Sequence, residues 1–231
     1  MIKNIKAILF DLDNTIMDFK ECEKQSLEYL FKNIGEKYKE EYHEIFSEID
    51  RDLWRSVLLN ISNIQKEKIP EYRFEIFFNK ISIKYNDYGT ANKLFQEKFK
   101  QKCILIDNAE EVITYLYNKN YKLYIVTNGI INLQKPRILN SKISKYISDI
   151  IISEEVGVTK PNAKIFNTLL QRNCLKQSDV IMIGDSIEQD ITGAKNTKIK
   201  SIWYNPMKLK NNTEIMPDYE INNLLELKKL F

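Results

Sequence analysis

Five short apolar runs, rich in β-branched side chains and bounded by polar residues or glycine, lie at Ile5 to Phe10, Leu123 to Thr127, Ile150 to Ser153, Val180 to Ile183 and Ser201 to Tyr204. Runs of this length and composition predict strands. Between them the apolar positions recur at helical spacing: Val112, Ile113, Leu116 and Tyr117; then Ile165, Phe166, Leu169 and Leu170; then Ile187, Ile191 and Ala194. Strands alternating with helices predict an α/β fold, a Rossmann-like parallel sheet covered on both faces to give three layers. Ligands in such sheets bind beyond the carboxyl ends of the strands.

Residues 18–105 break this alternation. Their apolar positions (Leu27, Leu30, Phe31, Ile34; Tyr42, Ile45, Ile49, Leu53, Val57; Phe74, Phe77, Phe78, Ile81; Ala91, Leu94, Phe95, Phe99) follow helical spacing throughout. The pattern predicts a core of residues 1–17 and 106–231, with a helical bundle of residues 18–105 inserted after the first strand. An insertion that leaves and rejoins the sheet at its carboxyl edge is suited to act as a lid that excludes water.

Composition narrows the partners. The 231 residues carry 35 basic and 32 acidic side chains, a net charge of +3 that sets up no field of the kind a nucleic-acid-binding surface needs. A small-molecule partner is expected, with no nucleic acid. The three cysteines, Cys22, Cys103 and Cys174, are too scattered for a zinc motif, and their odd number argues against a disulfide framework, which fits a reducing cytoplasm. The N-terminal apolar stretch is too short for a signal sequence, and no segment is long and apolar enough for a membrane helix. The expectation is a soluble cytoplasmic protein, a monomer or homodimer, with no membrane partner.

Candidate chemistry gathers at the ends of the predicted strands. The first strand runs into Asp11 and Asp13, whose carboxylates, two residues apart in an extended chain, would share one face and repel unless a cation such as magnesium sat between them. The fourth runs into Gly184 and Asp185, where glycine permits a sharp turn and Asp185 then faces the first pair. Asp190, five residues on, has the spacing of a water-mediated metal contact or a partner for a lysine. The second ends in Thr127-Asn128-Gly129, donors that suit phosphate oxygens. Lys160 precedes Pro161, a proline preset for the first turn of a helix, and offers a point charge for phosphate.

Taken in order, Asp11-x-Asp13-x-Thr15, Thr127, Lys160-Pro161 and Gly184-Asp185-Ser186 with Asp190 resemble the four motifs of the haloacid dehalogenase superfamily, and the helical insertion looks like that superfamily's type 1 cap. The resemblance implies a magnesium-dependent phosphatase. Asp11 would be the nucleophile that forms an aspartyl-phosphate, and Asp13 would protonate the leaving oxygen and then activate water. Thr127, Asn128 and Lys160 would bind the phosphoryl group; Asp11, Asp185 and the backbone carbonyl of Asp13 would hold Mg2+. The runs Thr127-Asn128-Gly129 with Asn132-Leu133-Gln134, Ile152 to Asn162, Lys164-Ile165-Phe166 and Trp203-Tyr204-Asn205 further resemble pyrimidine 5'-nucleotidases, which implies a nucleoside monophosphate as the phosphorylated substrate. In the cap, Trp54 and Arg55 have the chemistry to meet a base and a sugar or phosphate, although a tryptophan on an apolar helix stripe is more often core.

Rival chemistries fit less well. The single histidine, His43, falls in the insertion and reads as a surface helix residue, and no cysteine has an arginine six residues on. There is no Gly-x4-Gly-Lys loop. A dehalogenase has no use for Asp13 or Asp185. A sugar-phosphate phosphatase or a phosphomutase would use the same four motifs, and an inactive scaffold acting as a binding module would have lost one of them.

Overall fold

In β1 (Ala7–Phe10) every residue is buried, because this strand lies near the middle of a parallel sheet and alternate side chains enter two separate cores. The computed structural model describes residues 2–58 and 64–231. From β1 the chain continues through α1 (Phe19–Ile34), α2 (Glu41–Leu58), α3 (Ile69–Lys80), α4 (Tyr88–Phe99) and α5 (Ala109–Asn118) to β2 (Lys122–Thr127) and α6 (Ile131–Leu139). Then follow β3 (Ile147–Ile152), a single turn α7 (Ser153–Val156), α8 (Ala163–Arg172) and β4 (Val180–Gly184). A π-helical turn at Ile187–Ile191 leads into α9 (Thr192–Asn196), β5 (Lys200–Tyr204), β6 (Tyr219–Ile221) and α10 (Leu227–Leu230). The six strands are ordered β3-β2-β1-β4-β5-β6, all parallel.

The alternation is visible residue by residue. Ile8, Phe10, Leu123, Ile125, Ile181 and Ile183 face the core formed with Val112, Ile113 and Leu116 of α5. Their neighbours Ala7, Leu9, Tyr124, Val126, Val180 and Met182 face the core formed with Ile165, Phe166, Leu169 and Leu170 of α8. All five predicted strands form. A sixth, β6, was not expected: it is three residues long with two of them exposed, too short for a period to show. The third strand begins at Ile147 rather than Ile150, because Ser148 and Asp149 interrupt the apolar run in a strand at the sheet's edge. There the N–H of Ile150 donates to its neighbour Asp149 Oδ1 at 2.8 Å and its carbonyl accepts from Arg172 at 3.4 Å, which occupies edge groups that could pair with another chain.

The molecule divides into two compact units, Met1–Phe19 with Cys103–Phe231, and Lys20–Lys102. The second holds α1 to α4 and no strand among the described residues. Its centre is aromatic: the Phe46 ring lies 5.1 to 5.2 Å from those of Phe74, Phe77 and Phe95. Arg73 is buried against three of these rings, 4.9 to 5.3 Å from the centroids of Phe46, Phe74 and Phe95, with its charge answered by Asp50 at 2.7 Å. Of the expected stripe on α2, Tyr42, Ile49 and Leu53 are buried, whereas Phe46 is buried in place of Ile45, which is only half-buried. Trp54 is half-buried and Arg55 exposed, while the side chain of Val57 lies outside the described residues. His43 is not a bare surface residue: its Nε2 lies 3.0 Å from the buried carboxylate of Glu23, which also accepts from Ser47. No helix among the described residues is long and apolar enough to cross a membrane.

Removing the aromatic centre of the second unit is expected to be costly. Phe46→Ala should destabilise the protein by about 3–5 kcal/mol, read as a lowered urea midpoint.

Candidate active site

Where β1 ends, the chain closes a tight loop. The N–H of Asn14 donates to Met17 O at 2.7 Å, the N–H groups of Ile16 and Met17 both donate to Leu12 O, and Asn14 takes a left-handed conformation with φ 62°. Asp11 still extends the sheet, its N–H donating to Ile183 O at 2.9 Å, but by Asp13 the chain has turned. The two carboxylates therefore meet different surroundings.

Asp11 accepts from the ammonium of Lys160, which is buried and also donates to Asp190 Oδ1 at 2.7 Å and to the Val126 carbonyl at 2.9 Å. Burial alone would lower the pKa of this lysine, but the carboxylates of Asp11 and Asp190 outweigh it and hold the ammonium firmly charged. Oxygens of Asp11, Asp185 and Asp190 lie within 4.8 Å of one another. One ammonium against three carboxylates leaves a negative excess, with a measurable consequence for the acids. Burial, reinforced by Asp190 and Asp185, raises the pKa of Asp11 well above the usual carboxylate range despite Lys160. Burial and Asp190 push Asp185 up to about 6. Thr15, fully buried, sits between them with its hydroxyl 3.4 Å from Asp11 Oδ2 and from Asp185 Oδ1.

An oxygen-only donor set with excess negative charge fits a hard divalent cation such as Mg2+. Asp11 and Asp185 are the carboxylates best placed to hold it. Asp190 stands behind them, since one of its oxygens serves Lys160 and the other accepts from the N–H of Ser186 at 3.0 Å. Gly184 has a different reason from the expected turn: a Cβ there would fall 2.3 Å from the carboxyl carbon of Asp190. Glycine at 184 leaves room for that side chain. The carbonyl of Asp185 is fixed from the next strand by the indole N–H of Trp203 at 2.8 Å.

Asp13 lies outside this cluster. Its Oδ1 is 2.7 Å from Nη2 of Arg137, a fully buried guanidinium, and its Oδ2 accepts from the amide of Gln134 at 2.7 Å. An arginine on α6 thus answers the charge of the Asp13 side chain. Thr127 is buried next to this pair, its hydroxyl accepting from Gln134 at 3.3 Å.

The side-chain amide of Asn128, expected among the phosphate donors, has partners within the protein. Its amide nitrogen donates to Gln189 Oε1 at 2.9 Å and to the Lys160 carbonyl at 3.3 Å, and its amide oxygen accepts from the Lys160 N–H at 2.8 Å. It holds the lysine's backbone. Pro161 precedes the N-cap of α8, which is Asn162, rather than occupying the first turn. Sequence reasoning did not single out Arg137 or Gln189 at all. The signal for the first was available: Gln134 and Arg137 are three apart on the helix that follows Thr127-Asn128-Gly129, so they share a face.

Residues 8–204 match the family model for haloacid dehalogenase-like hydrolases. The chain belongs to this family. Proteins similar to it over nearly their whole length include the pyrimidine 5'-nucleotidase PynA of Streptococcus pneumoniae, 30% identical over 223 residues that cover 96% of this chain and 93% of that protein. The pyrimidine 5'-nucleotidase YjjG of Escherichia coli is 29% identical over 224 residues, 96% of each chain. The magnesium-bound crystal structure of the putative HAD-hydrolase YfnB of Bacillus subtilis superposes with a TM-score of 0.89 at 28% identity, covering 99% of both chains.

Two outcomes follow from the charge arrangement. Because the folded pKa of Asp185, about 6, lies above the ordinary 3.8, its ionised form opposes folding, and that penalty grows as pH rises between those values and is full above them. Without divalent cations Asp185→Asn should therefore melt higher than the wild type at neutral pH, with the gap closing as pH falls through about 6; added Mg2+ should raise the melting temperature of the wild type more than that of the variant. Gly184→Ala should cost about 1–3 kcal/mol by crowding Asp190, read by urea denaturation.

Proposed function

We propose that the protein is a magnesium-dependent phosphomonoesterase that works through an aspartyl-phosphate on Asp11, with pyrimidine nucleoside 5'-monophosphates as its substrates. The observation that carries this reading is the separation of two neighbouring carboxylates into different environments, Asp11 against Lys160 and Asp13 against Arg137 and Gln134. Carboxylates so divided suit two roles, a nucleophile and an acid–base. The names of the two nucleotidase relatives, similar over nearly the whole chain, support the substrate class.

In this mechanism an Asp11 carboxylate oxygen attacks phosphorus, and the bond from phosphorus to the ester oxygen breaks as that oxygen takes a proton from Asp13. Asp13, now ionised, removes a proton from water; the water oxygen attacks phosphorus, inorganic phosphate leaves and the Asp11 carboxylate is restored. Lys160 offsets charge on Asp11 and on the phosphoryl oxygens, with Asp190 and the Val126 carbonyl fixing its ammonium. The Thr127 hydroxyl hydrogen-bonds the phosphoryl group, and Asn128 secures the backbone of Lys160. Asp11, Asp185 and the backbone carbonyl of Asp13 would hold Mg2+, which would supply positive charge to offset that of the phosphoryl oxygens.

Purified protein should release phosphate from uridine, deoxyuridine and thymidine monophosphates only when Mg2+ is present, and more slowly from purine monophosphates and sugar phosphates. Asp11→Asn should abolish release with the circular dichroism spectrum unchanged, and Asp13→Asn should slow it by ~10²–10⁴-fold. A preference for sugar phosphates would overturn the substrate class, and undiminished turnover by Asp11→Asn would overturn the mechanism.

A further inference from the structure

Arg137 is among the largest fully buried side chains of the protein, and a buried guanidinium is costly unless each of its donors is answered. Nη2 lies 2.7 Å from Asp13 Oδ1, and Nη1 donates to Gln134 Oε1 at 2.6 Å. Gln134 in turn donates to Asp13 Oδ2 at 2.7 Å, so that two side chains one turn apart on α6 grip both oxygens of one carboxylate and also each other. Gln134 is further fixed by contacts of 3.3 Å to the Thr127 hydroxyl and the Asn128 carbonyl.

The backbone is arranged around this grip. Gly129 has φ 155°, and a Cβ there would lie 2.7 Å from Gln134 Cγ and 2.9 Å from its amide nitrogen. Only glycine leaves Gln134 in place. Asp13 keeps 19% of its side chain exposed while Arg137 has none, so the carboxylate is held from the protein side and open on the other.

We infer that Gln134 and Arg137 are positioning residues that orient the Asp13 carboxylate toward the leaving oxygen. The inference rests on the acid–base role proposed for Asp13. Neither residue touches the substrate in this account; both act by holding the carboxylate in the geometry that proton transfer needs, and a misplacement of about 1 Å costs on the order of a hundredfold in rate. An ion pair serving the fold alone would move stability without regard to which ester is hydrolysed. A positioning pair is sensitive to the leaving group, because a nucleoside alkoxide must be protonated as it departs whereas a nitrophenolate needs little help.

The test compares kcat/KM for uridine 5'-monophosphate and p-nitrophenyl phosphate in Gln134→Met, Arg137→Met, Gly129→Ala and Asp13→Asn, each checked for folding by circular dichroism. The three positioning variants should lose on the order of a hundredfold on the nucleotide and less than about tenfold on the nitrophenyl ester, the pattern Asp13→Asn shows more strongly. Arg137→Lys, which keeps the charge and loses the fork, should fall between Arg137→Met and the wild type. Gln134→Met preserves volume and leaves the Arg137–Asp13 pair, so it carries the test if Arg137→Met does not fold. Equal losses on both esters, or none, in the positioning variants overturn the inference when Asp13→Asn still discriminates. If Asp13→Asn itself fails to discriminate, the acid–base reading falls, and this inference with it.

Discussion

The ammonium of Lys160 is the interaction on which the site depends. Buried beside Asp11, Asp190 and the Val126 carbonyl, it allows carboxylates from two different strand exits to approach one another in a place with little access to water. Without it Asp11 and Asp190 would have to protonate or separate. The surroundings keep it in place: Asn128 secures its backbone, Gly184 makes room for Asp190, and the parallel order of β2, β1 and β4 brings the three loops to one edge. That order results from alternating apolar runs, so the charge cluster rests on a hydrophobic pattern set along the whole first unit.

Much of this was legible in the chain. The strand exits, and the carboxylates on them, follow from apolar runs that end in aspartate, and the helices α5 and α8 from apolar spacing that the structure buries nearly position by position. What escaped notice did so for physical reasons. The strand β6 has one buried residue, Ile221, and leaves no periodicity. Phe46 lies beside Ile45, and spacing alone cannot say which of two adjacent apolar residues faces inward. Arg137 follows Lys135 and Pro136 in a stretch that reads as surface, because an arginine is ordinarily exposed; a carboxylate more than a hundred residues away helps make its burial tolerable.

Gly184 and Gly129 show a related limit. Both stand where strands end, and a turn is the natural reading of a glycine there. In the structure each is also a gap into which a polar side chain fits, Asp190 in one case and Gln134 in the other. Space left by one residue for another six or five positions later is a three-dimensional relation that composition does not display.

Asp11 and Asp13 are two residues apart, yet one is anchored through the loop before α8 and the other through α6. The two anchors draw on different parts of the chain, a lysine for one and an arginine for the other. Inheritance can therefore act on them unequally. Drift along α6 bears on Asp13 directly and on Lys160 at one remove, through Asn128, whose carbonyl accepts from Gln134 and whose side chain holds the lysine's backbone, so a lineage built on this framework can vary its grip on Asp13 with less disturbance to Lys160.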